Sequence, residues 1–147
     1  MIFFVLSGFV IRHAAEQRDG SLRAFAVSRI TRVYSVAIPC LLLTWLFDQI
    51  GIRAAPAVYA GLVTHGPDIV RLLLAGTMLN ETALASVQVF SNTPYWSIAY
   101  EFWYYFLFGA LFFLDGWRRV ALLLLVALIA GPRILLLFPI WAFGWAA

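Results

Sequence analysis

Glu101 is the residue of this chain with the clearest chemical potential. It stands inside a long apolar, aromatic stretch, Tyr95–Leu114, that reads as a helix. A carboxylate at membrane depth costs roughly 2.5–3.5 kcal/mol on insertion scales, so it is expected to face a partner or a watery cavity. Ser97, Tyr104 and Tyr105 stand three or four residues from Glu101, which predicts one helix face carrying a polar stripe. Such a stripe can orient a proton-transfer group or an acceptor hydroxyl. The same groups can also tie helices together by hydrogen bonds, and residue type alone leaves both readings open.

Arg29 and Arg32 are the second candidate pair. They lie three residues apart at the mouth of the apolar run Val33–Ile52. Guanidinium groups bind phosphate through paired donors, so this pair suits an anion. The competing reading is charge that fixes topology, since cytoplasmic loops of membrane proteins carry excess Lys and Arg. Ser7 and Gly8 form a third motif. A nucleophilic serine needs a base, and the sequence assigns none, so close helix packing through small residues is favoured. His13 and His65, the only histidines, read as solvated loop residues, and two lone histidines make no metal site. Cys40 is the only cysteine, which excludes a disulfide framework and a cysteine-rich zinc site.

Composition sets the solvent in which these groups work. Of the 147 residues, 64% are hydrophobic and 12% charged; the mean hydropathy is +0.93. Average soluble domains are about 45–50% apolar and about 25% charged. Lipid around much of the surface accounts for the excess. The net charge of +3 argues against nucleic acid as a partner. All ten basic residues are arginine, and half lie between Arg12 and Arg32.

The elements follow from pattern and punctuation. Met1–Ile11 is apolar but too short to span, and reads as the second half of a helix. A polar stretch, Arg12–Ser28, is broken by Gly20-Ser21, with Ser21 expected to cap a helix from Leu22. Val33–Ile52 is the best-defined crossing, with a kink expected at Pro39. Between residues 53 and 93, the apolar pieces Ala54–Val63 and Ile69–Leu79 are each unconvincing as crossings. Asp48 and Asp68 are expected at the interface. Thr93-Pro94 signals a helix start, with Thr93 as cap and Pro94 at the first position. Asp115–Arg119 stops that helix. Val120–Ala130 and Ile134–Ala147 then read as consecutive crossings or as one kinked helix. If the middle segment does not cross, the arginine clusters share the cytoplasmic side, and Glu101 is expected far from Arg29 and Arg32.

Three segments, in this order, resemble the integral-membrane acyltransferase-3 family. They are Phe3-Phe4-Val5-Leu6-Ser7-Gly8-Phe9, Arg29-Ile30-Thr31-Arg32-Val33-Tyr34, and Pro94-Tyr95-Trp96-Ser97-Ile98-Ala99-Tyr100-Glu101. The resemblance covers most of residues 3–105. It implies an all-α, polytopic transmembrane bundle, here incomplete, as a single membrane domain over residues 1–147. It implies transfer of an acyl group, acetyl foremost, from acyl-CoA as co-substrate to a hydroxyl of a carbohydrate-like acceptor. No tightly bound cofactor or metal is expected. The setting it implies is the bacterial cytoplasmic membrane.

By the same resemblance Glu101 takes a catalytic orienting or acid–base role. Arg29, Arg32, Tyr34, Trp96 and Ser97 contact substrate, while Ser7, Gly8 and Phe9 form a structural motif. The arginine motif departs from the family pattern, which continues Ile-Tyr-Pro where Val33-Tyr34-Ser35 stands here. The family's catalytic histidine belongs to a helix ahead of Phe3, so the chain is expected to be a piece of a longer protein. A non-catalytic transport-like element or complex subunit, and an inactive fragment, are the alternative readings.

Overall fold

The computed structural model describes residues 2–17, 20–59 and 67–146. The order is α1 (Ile2–Gln17), α2 (Leu22–Ala54), α3 (Pro56–Tyr59) and α4 (Asp68–Gly76), a 3-10 turn (Thr93–Tyr95), then α5 (Trp96–Phe113) and α6 (Gly116–Ala146). This is an all-α, partial helical bundle. Among the described residues the only β feature is an isolated bridge between Glu81 and Ser86.

α2 starts where Ser21 predicts. The Ser21 Oγ accepts from the Ala24 amide at 3.3 Å, satisfying one of the free donors at the helix start. The helix then runs through Pro39 as one 33-residue element, so the interfacial and crossing parts are a single rod. At about 1.5 Å per residue it is about 50 Å long, well over the roughly 30 Å of a hydrocarbon core. By length and composition α2 and α6, taken as a continuous 31-residue stretch, are the two described helices long and apolar enough to cross a membrane. Large apolar side chains such as Phe47, Leu128, Leu136 and Phe143 face outward from them, as lipid contact requires.

α5 returns antiparallel to α2. Phe25 meets Phe108 and Phe113, Tyr34 meets Phe102, and Thr44 meets Asn92 just ahead of α5. α6 is not one rod. Gly131 has φ 78° and ψ 177°, a conformation essentially restricted to glycine. A straight 31-residue helix would end about 45 Å from its start. Yet Trp145 lies 5.3 Å from Phe108, close to the turn from which α6 departs. The chain therefore folds back at Gly131-Pro132, and 116–130 and 132–146 form a hairpin rather than a kinked crossing.

α1 packs against the second arm of that hairpin through glycines. A Cβ on Gly8 would sit 2.1 Å from the Trp141 carbonyl oxygen, and one on Gly144 would sit 1.8 Å from that of Val5. Backbones this close exclude any side chain at either position, which is the packing role expected of Gly8.

The middle of the chain does not cross where it is described. α4 has nine residues, about 13 Å, far short of a hydrocarbon core. Asp68 is held to α2 by Trp45 at 3.2 Å and Gln49 at 2.7 Å. Asp48 is buried within the protein and accepts from both the Ser91 amide and hydroxyl. Residues 60–63 of the first apolar piece, and His65, lie outside the described residues. The helix start at 93–96 also differs. No side chain caps the turn; Thr93–Tyr95 is a 3-10 turn and α5 proper begins at Trp96. Asn92, at the capping position, donates to Thr44 instead.

Candidate active site

Glu101 is half-buried in the second turn of α5, at the wall of a cavity of about 350 Å³ between α1, α2 and α5. Two hydroxyls converge on its Oε1. Ser7 donates at 2.7 Å from α1, and Tyr105 donates from the next turn of α5. Ser7 in turn accepts from the Trp141 indole N–H at 3.2 Å. The result is a chain from α6 through α1 to α5 that fixes one carboxylate oxygen. Helix spacing explains the Tyr105 contact, since residues four apart share a face.

Arg32 lines the same cavity from α2. The expectation that an antiparallel arrangement separates Glu101 from the arginines is therefore overturned for Arg32. α2 starts where expected; what brings Arg32 to the cavity is that α5 packs along this part of α2, with Phe102 against Tyr34, so Arg32, about 15 Å into the helix, faces Glu101's side of the bundle. Arg29 is buried and lies 5.6 Å from the Phe25 ring. It lines a separate, apolar cleft of about 160 Å³ with Phe25, Phe102 and Phe106. Tyr105 is the wall common to both spaces.

The remaining expected residues are more dispersed. Tyr104 leaves the polar stripe, donating to the Ile134 carbonyl at 3.0 Å and packing against Trp141. Ser97 bonds back to the Pro94 carbonyl at 2.9 Å. Tyr34 packs edge-on against Phe102 and lines neither space. Trp96 faces a third cavity nearer the start of α5. Phe9 is exposed beside Arg12, His13 and Glu16. Ser7 does more than pack, because the structure supplies the acidic partner that the sequence did not assign. Trp141 was missed entirely: in an apolar run, nothing distinguishes an indole that donates from one that only fills space. Among the described residues no three His, Cys, Asp or Glu side chains gather as a metal site.

The three resembling segments thus converge on one place: Ser7 from the first, Arg32 from the second, Glu101 from the third. An acyltransferase domain model matches residues 1–147. The chain belongs to this acyltransferase family. It is 34% identical over 111 residues to "Acyltransferase MdmB" of Streptomyces mycarofaciens, a match covering 73% of this chain. The chain spans about a quarter (26%) of that relative's length. No solved structure matches. Within this acyltransferase domain the carboxylate, the two hydroxyls and the guanidinium hold a compact cavity walled otherwise by apolar groups such as Phe3, Val33 and Ile98.

Proposed function

We propose that the cavity shared by Ser7, Arg32, Glu101 and Tyr105 is the transfer site of a membrane-bound acyltransferase. The reaction moves an acyl group, acetyl foremost, from acyl-CoA to a hydroxyl of a carbohydrate-like acceptor. The observation that carries this reading is the placement of Glu101: a membrane-depth carboxylate fixed by two hydroxyls and open to a cavity that also holds a guanidinium.

The parts divide by charge. Arg32 offers forked donors to an anion, and the phosphates of coenzyme A are the anions of this donor. Arg29 supports the same end of the molecule from the adjoining cleft, whose apolar walls suit the uncharged arm of the donor. When ionised, Glu101 only accepts hydrogen bonds. With Oε1 taken by Ser7 and Tyr105, its Oε2 is the oxygen available to orient an acceptor hydroxyl. That hydroxyl oxygen attacks the thioester carbonyl carbon, the C–S bond breaks, and the thiol of coenzyme A leaves with a proton. The structural part of the motif, Gly8 against Trp141, brings Ser7 close enough to hold the carboxylate.

The membrane side follows from the arginines. Arg23, Arg118 and Arg119 lie at the end where α2 begins and α5 ends, and Arg12 joins them by donating to the Trp145 carbonyl at 2.9 Å. By the positive-inside rule this end faces the cytoplasm of a bacterial inner membrane, where acyl-CoA is found. The test is Arg32→Ala in the full-length protein. The Michaelis constant for acetyl-CoA rises about tenfold or more, while that for the acceptor is unchanged. An unaltered donor constant would remove Arg32 from the site.

A further inference from the structure

The apolar cleft of about 160 Å³ beside the transfer cavity is half-open to the outside of the bundle. Leu22, Ala26 and Ile30 of α2, Phe106 of α5 and Leu122 of α6 wall it, and only Arg29 and Tyr105 bring polar atoms to its lining. From Phe102 to Gly109 it runs about 10 Å along α5. Ile30 on its rim is 38% exposed. An apolar slot that opens on the outer surface of a membrane bundle opens on lipid.

The cytoplasmic mouth of this cleft is basic. Arg118 stands one turn before Leu122 on α6, and Arg23 stands three residues before Ala26 on α2, so each shares a helix face with a wall of the cleft. Both arginines are exposed, and neither forms an ion pair with a described residue. Arg12 and Arg119, at the same end, are instead paired with Glu16 and Asp115. Trp117, next to Arg118, is 76% exposed. An open indole beside an arginine at the end of a membrane helix marks the headgroup level. An apolar slot with guanidinium groups at headgroup level fits a molecule that joins a hydrocarbon chain to a phosphate.

We propose that this cleft binds an anionic phospholipid of the cytoplasmic leaflet. One acyl chain lies between α2, α5 and α6, and the phosphate sits at Arg118 and Arg23. A zwitterionic lipid brings a second cation to the same arginines and is disfavoured by charge. The site has a regulatory consequence that rests on the transfer reading above; lipid binding itself does not. That reading gives the uncharged arm of the donor the same cleft, and a space of about 160 Å³ does not hold both. Anionic lipid therefore competes with acyl-CoA.

The experiment uses the purified full-length protein. Native mass spectrometry reads which lipid stays bound when phosphatidylglycerol and phosphatidylcholine are offered together. Phosphatidylglycerol is retained about tenfold or more over phosphatidylcholine. Arg23→Gln combined with Arg118→Gln removes the preference; both side chains are exposed, and unchanged thermal melting separates lost binding from lost folding. Ala26→Leu fills the cleft and keeps the arginines. It also weakens phosphatidylglycerol retention about tenfold, which attraction to surface charge alone would not show. Soluble glycerol 3-phosphate does not displace the lipid. Equal retention of the two lipids, or variants that bind like wild type, overturns the site. Displacement by glycerol 3-phosphate makes it a phosphate site and overturns the lipid. Phosphatidylglycerol retained as described, in a protein that transfers no acyl group, supports the lipid site and overturns the transfer reading alone. Where transfer occurs, nanodiscs containing phosphatidylglycerol raise the Michaelis constant for acetyl-CoA about threefold or more with kcat unchanged, and the paired arginine variant abolishes the rise. A donor constant indifferent to phosphatidylglycerol overturns the competition and leaves the transfer reading intact.

Discussion

Removing one hydroxyl from the carboxylate probes the site most finely. Tyr105→Phe deletes the hydroxyl that donates to Glu101 Oε1 and keeps the ring, so the buried packing of Tyr105 on α5 is preserved. Ser7→Ala deletes the other donor, at 2.7 Å, and also strands the Trp141 N–H that Ser7 accepts at 3.2 Å. A hydrogen bond to a charged group contributes about 1.5–3 kcal/mol net. The cavity admits water, which partly replaces a lost donor and puts the effect at the lower end. At about 1.4 kcal/mol per factor of ten, each single change lowers kcat/KM about tenfold. Because both donors act on one oxygen, the two losses are not additive, and the double variant reports their coupling. The assay is transfer of radiolabelled acetyl from acetyl-CoA by membranes carrying the full-length protein, normalised to inserted protein. Both single variants at wild-type kcat/KM would refute the idea that these hydroxyls position the carboxylate.

Other outcomes follow from the packing. Gly8→Val places a side chain into the Trp141 carbonyl, where a Cβ alone would sit at 2.1 Å. It destabilises the protein by about 3 kcal/mol or more, the upper range of overpacking, visible as loss of folded protein in thermal melts. Gly131→Ala forces a side chain into φ 78°, and its Cβ would meet that of Ala83 at 2.8 Å. The expected loss is about 1–3 kcal/mol of stability, with insertion retained, by the same melts. Asp48→Ala strips two hydrogen bonds from Ser91. It lowers stability by about 2–3 kcal/mol, and the segment ahead of α5 becomes the first site of limited proteolysis.

Local signals in the sequence were readable where the physics is local. Ser21 caps α2 because a hydroxyl reaches the amide three residues on, whatever the rest of the chain does. Gly131-Pro132 announces a break, since both residues refuse a regular helix. The sequence could not say which way the chain leaves that break: the fold-back is decided by Trp141 and Trp145 packing on α5. The arginine motif shows the same limit. Its charges were identifiable, but which of them meets Glu101 depends on how α5 packs along α2, a contact between segments distant in sequence: Arg32 lines the Glu101 cavity and Arg29 the neighbouring cleft. The start of α5 misled for a different reason: Thr93-Pro94 fits a capped helix, but Thr93 lies within the 3-10 turn, and Asn92, at the capping position, is drawn to Thr44 of α2. Trp141 was invisible, because its significance is the position of Ser7, a partner distant in sequence.

The most direct test of the account is Glu101→Gln in the full-length protein, with Glu101→Asp alongside. Glutamine keeps the shape and an oxygen that can accept from Ser7 and Tyr105, but loses the charge and puts a donating amide where Oε2 would accept from the acceptor hydroxyl; aspartate keeps the charge one methylene short. The account predicts that acyl transfer falls at least a hundredfold in the glutamine variant and recovers in part with aspartate, while membrane insertion and thermal melting stay close to wild type. Wild-type transfer by Glu101→Gln would contradict it.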